Sequence, residues 1–328
     1  MRVLVVGAGA IGGYFGGRLL QAGRDVTFLV RPRRAAELAD TGLIIKSPHG
    51  NVSLRKPPTI LSENIGHPFD LVLLSCKAYD LEGAMDSFAA AVGPETMVLP
   101  LLNGMRHLDM LDERFGRSLI LGGQCVIAAT LDSQRAVVHL NDVHKLAFGE
   151  RDGAMSDRIH RVASILGNAG FDASLSDHIV QEMWEKWVFL ATLASVTCLM
   201  RAPIGDIVAS PGGNELIRSL LEECRAIAEG AGHAPQAAFL EQARAALTAA
   251  GSPLTASMLR DVESNAPVEA DHIVGDLLRR HRAVHPNRNQ LSELATAYAH
   301  LKAYETRRAR TLASPPQNDV AVRSTHQV

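Results

Sequence analysis

Apolar residues fall in short dense blocks along the first half of the chain and in helix-spaced stripes along the second. Residues 3–7, 26–30, 70–76 and 97–102 are near-continuous apolar runs of strand length, the pattern of strands covered on both faces. Helix-compatible stretches lie between and after them, over 10–20, 35–40, 81–92 and 105–115. Residues 43–45 and 52–54 flank Ser47-Pro48-His49-Gly50 and predict a hairpin. A longer strand is predicted over 119–130, two further short strands over 137–140 and 145–148, and a helix over 156–169. Strand and helix alternate, so the sheet should be mostly parallel with helices on both faces. Ligands on such sheets bind beyond the carboxyl ends of the strands. Arg31, Lys77 and Asn103 stand at those ends.

Beyond about residue 177 the strand pattern stops. Helices are predicted over 178–200, 214–231, 234–250, 252–263, 267–284 and 290–308. Ser252 would cap the fourth, with Pro253 in its first turn, and Pro267 would open the fifth. The segment 311–328 is polar, contains Pro315-Pro316 and has no periodicity, so it reads as a disordered tail.

The junction of the first strand and first helix carries Gly7, Gly9 and Gly12 in G-x-G-x-x-G spacing. Gly7 permits the tight turn, Gly9 lets backbone approach a pyrophosphate, and Gly12 lets helix pack on strand. The loop Gly7-Ala8-Gly9-Ala10-Ile11-Gly12 would hold the pyrophosphate on the helix N-terminus, where free N–H groups and the helix dipole favour an anion. The second strand ends at Arg31, where an NAD site usually has an acid. The basic run Arg31-Pro32-Arg33-Arg34 suits a 2′-phosphate instead, because a guanidinium can hold it with two parallel hydrogen bonds. The cofactor expected is therefore NADP(H). The fold class is α/β, a Rossmann-type dinucleotide-binding domain over 1–175, followed by an all-α domain over 176–310.

Composition narrows the class. The 328 residues are 47% hydrophobic, enough for two cores, and the net charge of −2 does not favour nucleic acid or an anionic membrane as partner. No apolar run reaches membrane-spanning length. Cys76, Cys125, Cys198 and Cys224 are scattered without metal spacing and read as reduced thiols of a cytoplasmic protein. No metal site is expected. His139 with His144, and His281 with His285, read as surface or turn residues, since H-E-x-x-H is absent. The G-x-S-x-G elbow of a serine hydrolase is absent too.

Lys186 sits in Trp184-Glu185-Lys186-Trp187-Val188-Phe189-Leu190, a very apolar stretch. It either pairs with Glu182 one turn away or, partly buried with a lowered pKa, serves proton transfer. Glu269 follows Pro267, where an acid simply suits a helix start. Ser257 would be mid-helix, Asn103-Gly104 a turn, and Lys77 a strand-end charge.

These pieces together resemble the ketopantoate reductase family, over nearly the whole chain to about residue 305. The resemblance rests on GAGAIGG at 7–13, Arg31, Lys77-Ala78, Asn103-Gly104-Met105, Glu185-Lys186-Trp187, Ser257-Met258-Leu259-Arg260-Asp261 and Glu269-Ala270-Asp271 leading to Gly275-Asp276-Leu277-Leu278. It implies NADPH-dependent reduction of a 2-keto acid, 2-dehydropantoate foremost, in pantothenate biosynthesis. It implies Lys186 as general acid and Glu269 as the carboxylate that contacts substrate or cofactor and organises the lysine. Asn103 would lie between nicotinamide and substrate, Ser257 would contact the substrate carboxylate, and Lys77 and Ala128 would lie along the cofactor. The chain departs from the family where asparagines commonly follow the lysine by four and eight residues. Leu190 and Ala194 stand there, which suits a more apolar keto acid. Ala283-Val284-His285 likewise replaces a usual glycine-containing turn. A catalytically silent NADP-binding sensor is a further alternative, against which Lys186 and Glu269 both speak. The apolar helical half could supply a homodimer interface.

Overall fold

The structure is a computed structural model and describes residues 1–284 and 292–313. The elements in chain order are β1 (Val3–Val6), α1 (Ala10–Gln21), β2 (Val26–Leu29), α2 (Pro32–Thr41), β3 (Leu43–Lys46), β4 (Val52–Leu54), β5 (Thr59–Ile60), β6 (Leu71–Leu74), α3 (Leu81–Phe88), β7 (Met97–Pro100), α4 (Arg106–Phe115), β8 (Gly122–Leu131), β9 (Val137–Gly149), α5 (Asp157–Leu166) and β10 (Asp172–Leu175). There follow α6 (Ile179–Met200), α7 (Ile204–Ala209), α8 (Gly213–Gly230), α9 (Ala237–Leu247), α10 (Ser257–Glu263), α11 (Asp276–Val284) and α12 (Glu293–Ala313). The fold is thus a parallel-sheet α/β half followed by a helical half.

Five strands form a parallel sheet in the order β5-β2-β1-β6-β7. Every residue of β1, β6 and β7 is buried, as expected of strands covered on both faces. Alternation along them divides the interior. Leu4, Val6, Val72, Leu74 and Val98 point to one side, Val3, Val5, Leu71, Leu73 and Leu99 to the other. The second group packs under α1, α5 and a smaller mixed sheet, β10-β9-β3-β4, with β8 beside β9. The first group continues without a break into Trp184, Trp187, Val188 and Ala191 of α6 and the helices around it.

Several sequence expectations needed correction. The strands expected over 137–140 and 145–148 are one strand, β9. Polar Asn141 and Asp142 break its apolar pattern but are exposed, while pairing with β8 continues past them across a bulge between Ile127 and Ala129. His139 and His144 are consequently buried strand residues, not surface or turn residues. Strands β5 and β10 and helix α7 are too short for periodicity to mark. The helix expected from 252 begins at Ser257, because residues 252–256 are irregular. The Ser252 and Leu254 carbonyls accept from the N–H groups of Gly205 and Ile204 in the first turn of α7. Ser257 is therefore at a helix start rather than mid-helix. Pro267 does not open the fifth helix either. The chain stays irregular through Glu269, passes through a π-helical turn over Asp271–Gly275, and only then forms α11. Residues 311–313 of the expected tail are instead the end of α12, whose helical hydrogen bonding carries past the predicted stop at 308. His285, residues 290–291 and residues 314–328 of the expected tail lie outside the described residues.

Candidate functional site

A cleft of about 670 Å³ opens along the carboxyl ends of the parallel strands. Its floor is the loop after β1. Gly7 has φ +91°, the left-handed region that favours glycine. A Cβ on Gly12 would lie 2.2 Å from both the Gly7 carbonyl and Ser75 Oγ, whereas one on Gly9 would meet nothing within 4 Å. Gly12 is thus closed against the sheet and Gly9 is open to the cleft. Helix α1 starts with no side-chain cap and no acid in its first turn, so its N–H groups are left for a ligand. These residues fit a dinucleotide pyrophosphate. The loop is braced from behind by buried Arg34, whose guanidinium donates to the Ala8 carbonyl at 3.1 Å and pairs with Glu37.

That contact removes Arg34 from the basic cluster expected to hold a phosphate. Arg33 pairs with Glu37 as well. Arg31 remains, at the cleft edge, where its one ion pair among the described residues is an exposed 3.2 Å contact to Asp80. An exposed pair of this kind is weak, so a phosphate can replace the partner. Arg31→Ala is expected to raise the KM for NADPH about ten- to a hundredfold while that for NADH changes little. Initial rates with the two coenzymes measure this, and an equal rise in both KM values would contradict it.

At the far end of the cleft, residues from both halves meet. Cys76, Lys77 and Asn103 follow β6 and β7, Cys125 and Ile127 come from β8, and Ser257, Arg260 and Glu269 come from the helical half. Glu269 is buried, accepts from the Ala78 N–H at 2.9 Å and lies 3.4 Å from Lys77 Nζ. Asp261 lies 3.0 Å from the same ammonium. Burial alone would lower the Lys77 pKa, but Glu269 and Asp261 outweigh it and hold it above the ordinary lysine value.

Lys186 does not pair with Glu182, which instead takes bonds from Ser176 and Gln124. The Lys186 Nζ donates to the Cys125 carbonyl at 2.6 Å, at the cleft wall. Burial lowers its pKa, with Glu269 among the groups opposing the shift. A lysine in this state can release a proton more readily than an exposed one. Its neighbours do not compete. Burial pushes His107 down to about 3, keeping it neutral, and pushes the Cys125 thiol up. A second cavity beside Lys186, lined by Asn103, Gln124, Met183 and Leu190 among others, measures only about 10 Å³. That is room for about one water.

The structure therefore brings Gly7, Ala8, Gly9, Ala10, Ile11, Arg31, Lys77, Asn103, Ser257 and Glu269 to one cleft, with Gly12 packed beneath the loop and Lys186 behind the wall. Ala128 is not in the lining. The alternation of β8 turns Cys125, Ile127 and Ala129 to the cleft, and the Ala128 N–H bonds to Asn141 on β9. Leu190 borders the small cavity, but Ala194 is fully buried in the helical core and borders neither. Sequence reasoning missed Arg135, Arg260 and Gln124. Arg260 lies three residues after Ser257, one helical turn on, which could have flagged it. Arg135 and Gln124 reach the site only through folding of β8 and β9.

The profile of "Ketopantoate reductase PanE/ApbA" matches residues 3–153, and that of "Ketopantoate reductase PanE/ApbA C terminal" matches residues 178–305. An uncharacterized oxidoreductase, YkpB of Bacillus subtilis, is 35% identical over 307 residues, covering 93% of this chain and 99% of that one. The chain belongs to the ketopantoate reductase family. A 2-dehydropantoate 2-reductase of Archaeoglobus fulgidus is 29% identical over 279 residues, covering 85% of this chain and 90% of its own length. Among solved structures, the 2-dehydropantoate 2-reductase from Geobacter metallireducens superposes with a TM-score of 0.82 at 26% identity, over 92% of this chain and 99% of that one. As a ketopantoate reductase family member the protein is an oxidoreductase acting on a CH–OH group, with NADPH as coenzyme. The family's reaction is NADPH-dependent reduction of a 2-keto acid. No helix among the described residues is long and apolar enough to cross a membrane.

Proposed function

We propose that the protein reduces 2-dehydropantoate to pantoate, with Lys186 donating the proton to the carbonyl oxygen. The observation that carries this reading is the meeting of Asn103, Ser257 and Glu269 in the cleft with Lys186 directly behind its wall, Asn103 bordering both the cleft and the small cavity beside the lysine. NADPH, when bound, supplies the hydride. A 2-keto acid beside it needs its carboxylate anchored, its carbonyl oxygen stabilised and its carbon face oriented. Ser257 and the exposed Arg260 suit the carboxylate, Asn103 suits orientation, and Lys186 suits the oxygen. Glu269 holds Ala78 in place and keeps negative charge near the lysine. Residues 1–175 hold the coenzyme on this reading, and 176–310 supply most groups for the keto acid.

A second reading, a more apolar 2-keto acid as substrate, is favoured by Leu190 beside Lys186. Ala194 gives it no support, being sealed in the core. NADPH oxidation with 2-dehydropantoate and with 3-methyl-2-oxobutanoate, which lacks the hydroxymethyl group, separates the two. The first reading expects the hydroxylated acid to have the higher kcat/KM, and Leu190→Asn to raise its advantage about tenfold through one added hydrogen bond. Faster turnover of the apolar acid by the wild-type enzyme supports the second. Tight NADPH binding without turnover of any keto acid would instead indicate a sensor.

A further inference from the structure

Three histidines meet on the face of the mixed sheet that packs on α1, where His139 and His144 touch Tyr14, and none of them lines the cleft. His49 lies in the turn between β3 and β4, while His139 and His144 both lie on β9. The bulge between β8 and β9 and the β3–β9 pairing bring the hairpin turn over β9. One ring nitrogen or the other of each histidine lies within 4.8 Å of its counterparts. His139 and His144 are buried, and His49 is exposed.

The hydrogen bonds around the rings favour ligation. His49 Nε2 is 2.7 Å from the Asp142 carbonyl, and His139 Nε2 is 3.0 Å from the Val143 carbonyl. A carbonyl only accepts, so both Nε2 atoms carry the proton and both Nδ1 atoms hold a lone pair. His144 Nδ1 is 2.7 Å from the Tyr14 hydroxyl, which leaves its Nε2. Ligating histidines usually have the other ring nitrogen fixed in this way by a second partner. The charged neighbours of His144 are one of each sign, Asp172 and Arg18, so they do not jointly repel a cation.

We propose that His49, His139 and His144 bind a divalent first-row transition ion, Zn²⁺ foremost, through three imidazoles with a fourth position open to solvent. Imidazole ligands select such ions over Mg²⁺ or Ca²⁺. The rings of His49 and His144 are now stacked, with centroids 3.8 Å apart and planes 18° apart. Binding turns the rings so that their lone pairs converge, and brings the nitrogens to about 3.3 Å from one another, as tetrahedral Zn–N bonds of about 2.0–2.1 Å require. His49, at an exposed turn, has room to move. His139 Nδ1 must release Ser47 Oγ, now at 3.0 Å. The ion would tie the β3–β4 turn to β9 and, through Tyr14, to α1.

Calorimetric titration of the tag-free full-length protein with ZnCl₂ tests this, with CoCl₂ absorption reporting the ligand geometry. One ion per chain with micromolar or tighter affinity is expected, with a Co²⁺ spectrum of four- or five-coordinate nitrogen ligation. His49→Gln and His144→Gln should each weaken binding at least about thirtyfold, as losing a ligand costs no less than losing a second-shell partner. His178→Gln, at an exposed histidine elsewhere, should leave it unchanged. Unchanged NADPH binding by His49→Gln shows that this variant is folded. Failure to find one ion per chain, retained affinity in His49→Gln, or an equal loss in His178→Gln would each overturn the proposal. None of these outcomes depends on the keto-acid substrate.

Discussion

Alanine in place of Lys186 is expected to lower kcat for keto-acid reduction by about 10²–10⁴-fold, the usual contribution of a positioned general acid, with NADPH affinity little changed. The lysine reaches the Cys125 carbonyl from behind the cleft wall, so its loss should not disturb the glycine loop proposed to hold the coenzyme. Lys186→Met, which keeps an unbranched stem without the charge, should be as inactive, separating lost proton transfer from lost packing. The wild-type pH profile gives an independent check. The acid must be protonated to act, and burial sets its pKa below that of an ordinary lysine. Reduction should therefore decline as pH rises through that depressed value, on a limb that Lys186→Met lacks. If Lys186→Met retains wild-type kcat, the lysine is not the acid.

Glu269→Gln carries the second large effect. An amide oxygen can still accept from the Ala78 N–H, so the local geometry should persist. The negative charge is lost, and with it one of the two carboxylates beside Lys77 and one of the influences that raise the Lys186 pKa. We expect kcat/KM to fall about a hundredfold, within the range for a group that positions an acid catalyst. The high-pH limb should also move to lower pH, because removing an acid lets the Lys186 pKa drop further. The stability cost should be about 1–2 kcal/mol by urea denaturation. It stays below that of breaking a fully buried pair, since Lys77 is 41% exposed and keeps Asp261 at 3.0 Å. A lower kcat/KM with an unmoved limb would confine Glu269 to substrate binding.

The parallel-sheet half was largely legible in the sequence because its signals are local. Three glycines, two apolar runs and Arg31 lie within one strand–helix–strand unit. Apolar runs likewise marked four of the five parallel strands, all but the two-residue β5. Legibility failed where tertiary contacts set the backbone. Ser252 and Pro253 carry a helix-start signature, yet their segment stays irregular, its carbonyls taken up by the first-turn N–H groups of α7. Pro267 is similarly overruled before Glu269 reaches Ala78. The choice of Ala128 failed by one residue, which on a strand means the opposite face. Ala194 shows the same limit on a helix, since four-residue spacing from Leu190 does not reveal where the cavity ends. The meeting of His49 with His139 and His144 depends on a hairpin docking beside a distant strand, which spacing along the chain does not report.

The interior that runs from Leu4, Val6 and Val72 straight into Trp184, Trp187 and Val188 restricts how such a protein can diversify. A recombination event near residue 176 would trade one helical half for another against a flank shaped side chain by side chain for its present partner. Few foreign halves would seal it. New substrates are more readily reached by replacing single residues in place, with the glycine loop and the sheet carried along unaltered. Position 190, at the small cavity beside Lys186, is one place where such a change would act. A substitution there alters the surroundings of Lys186.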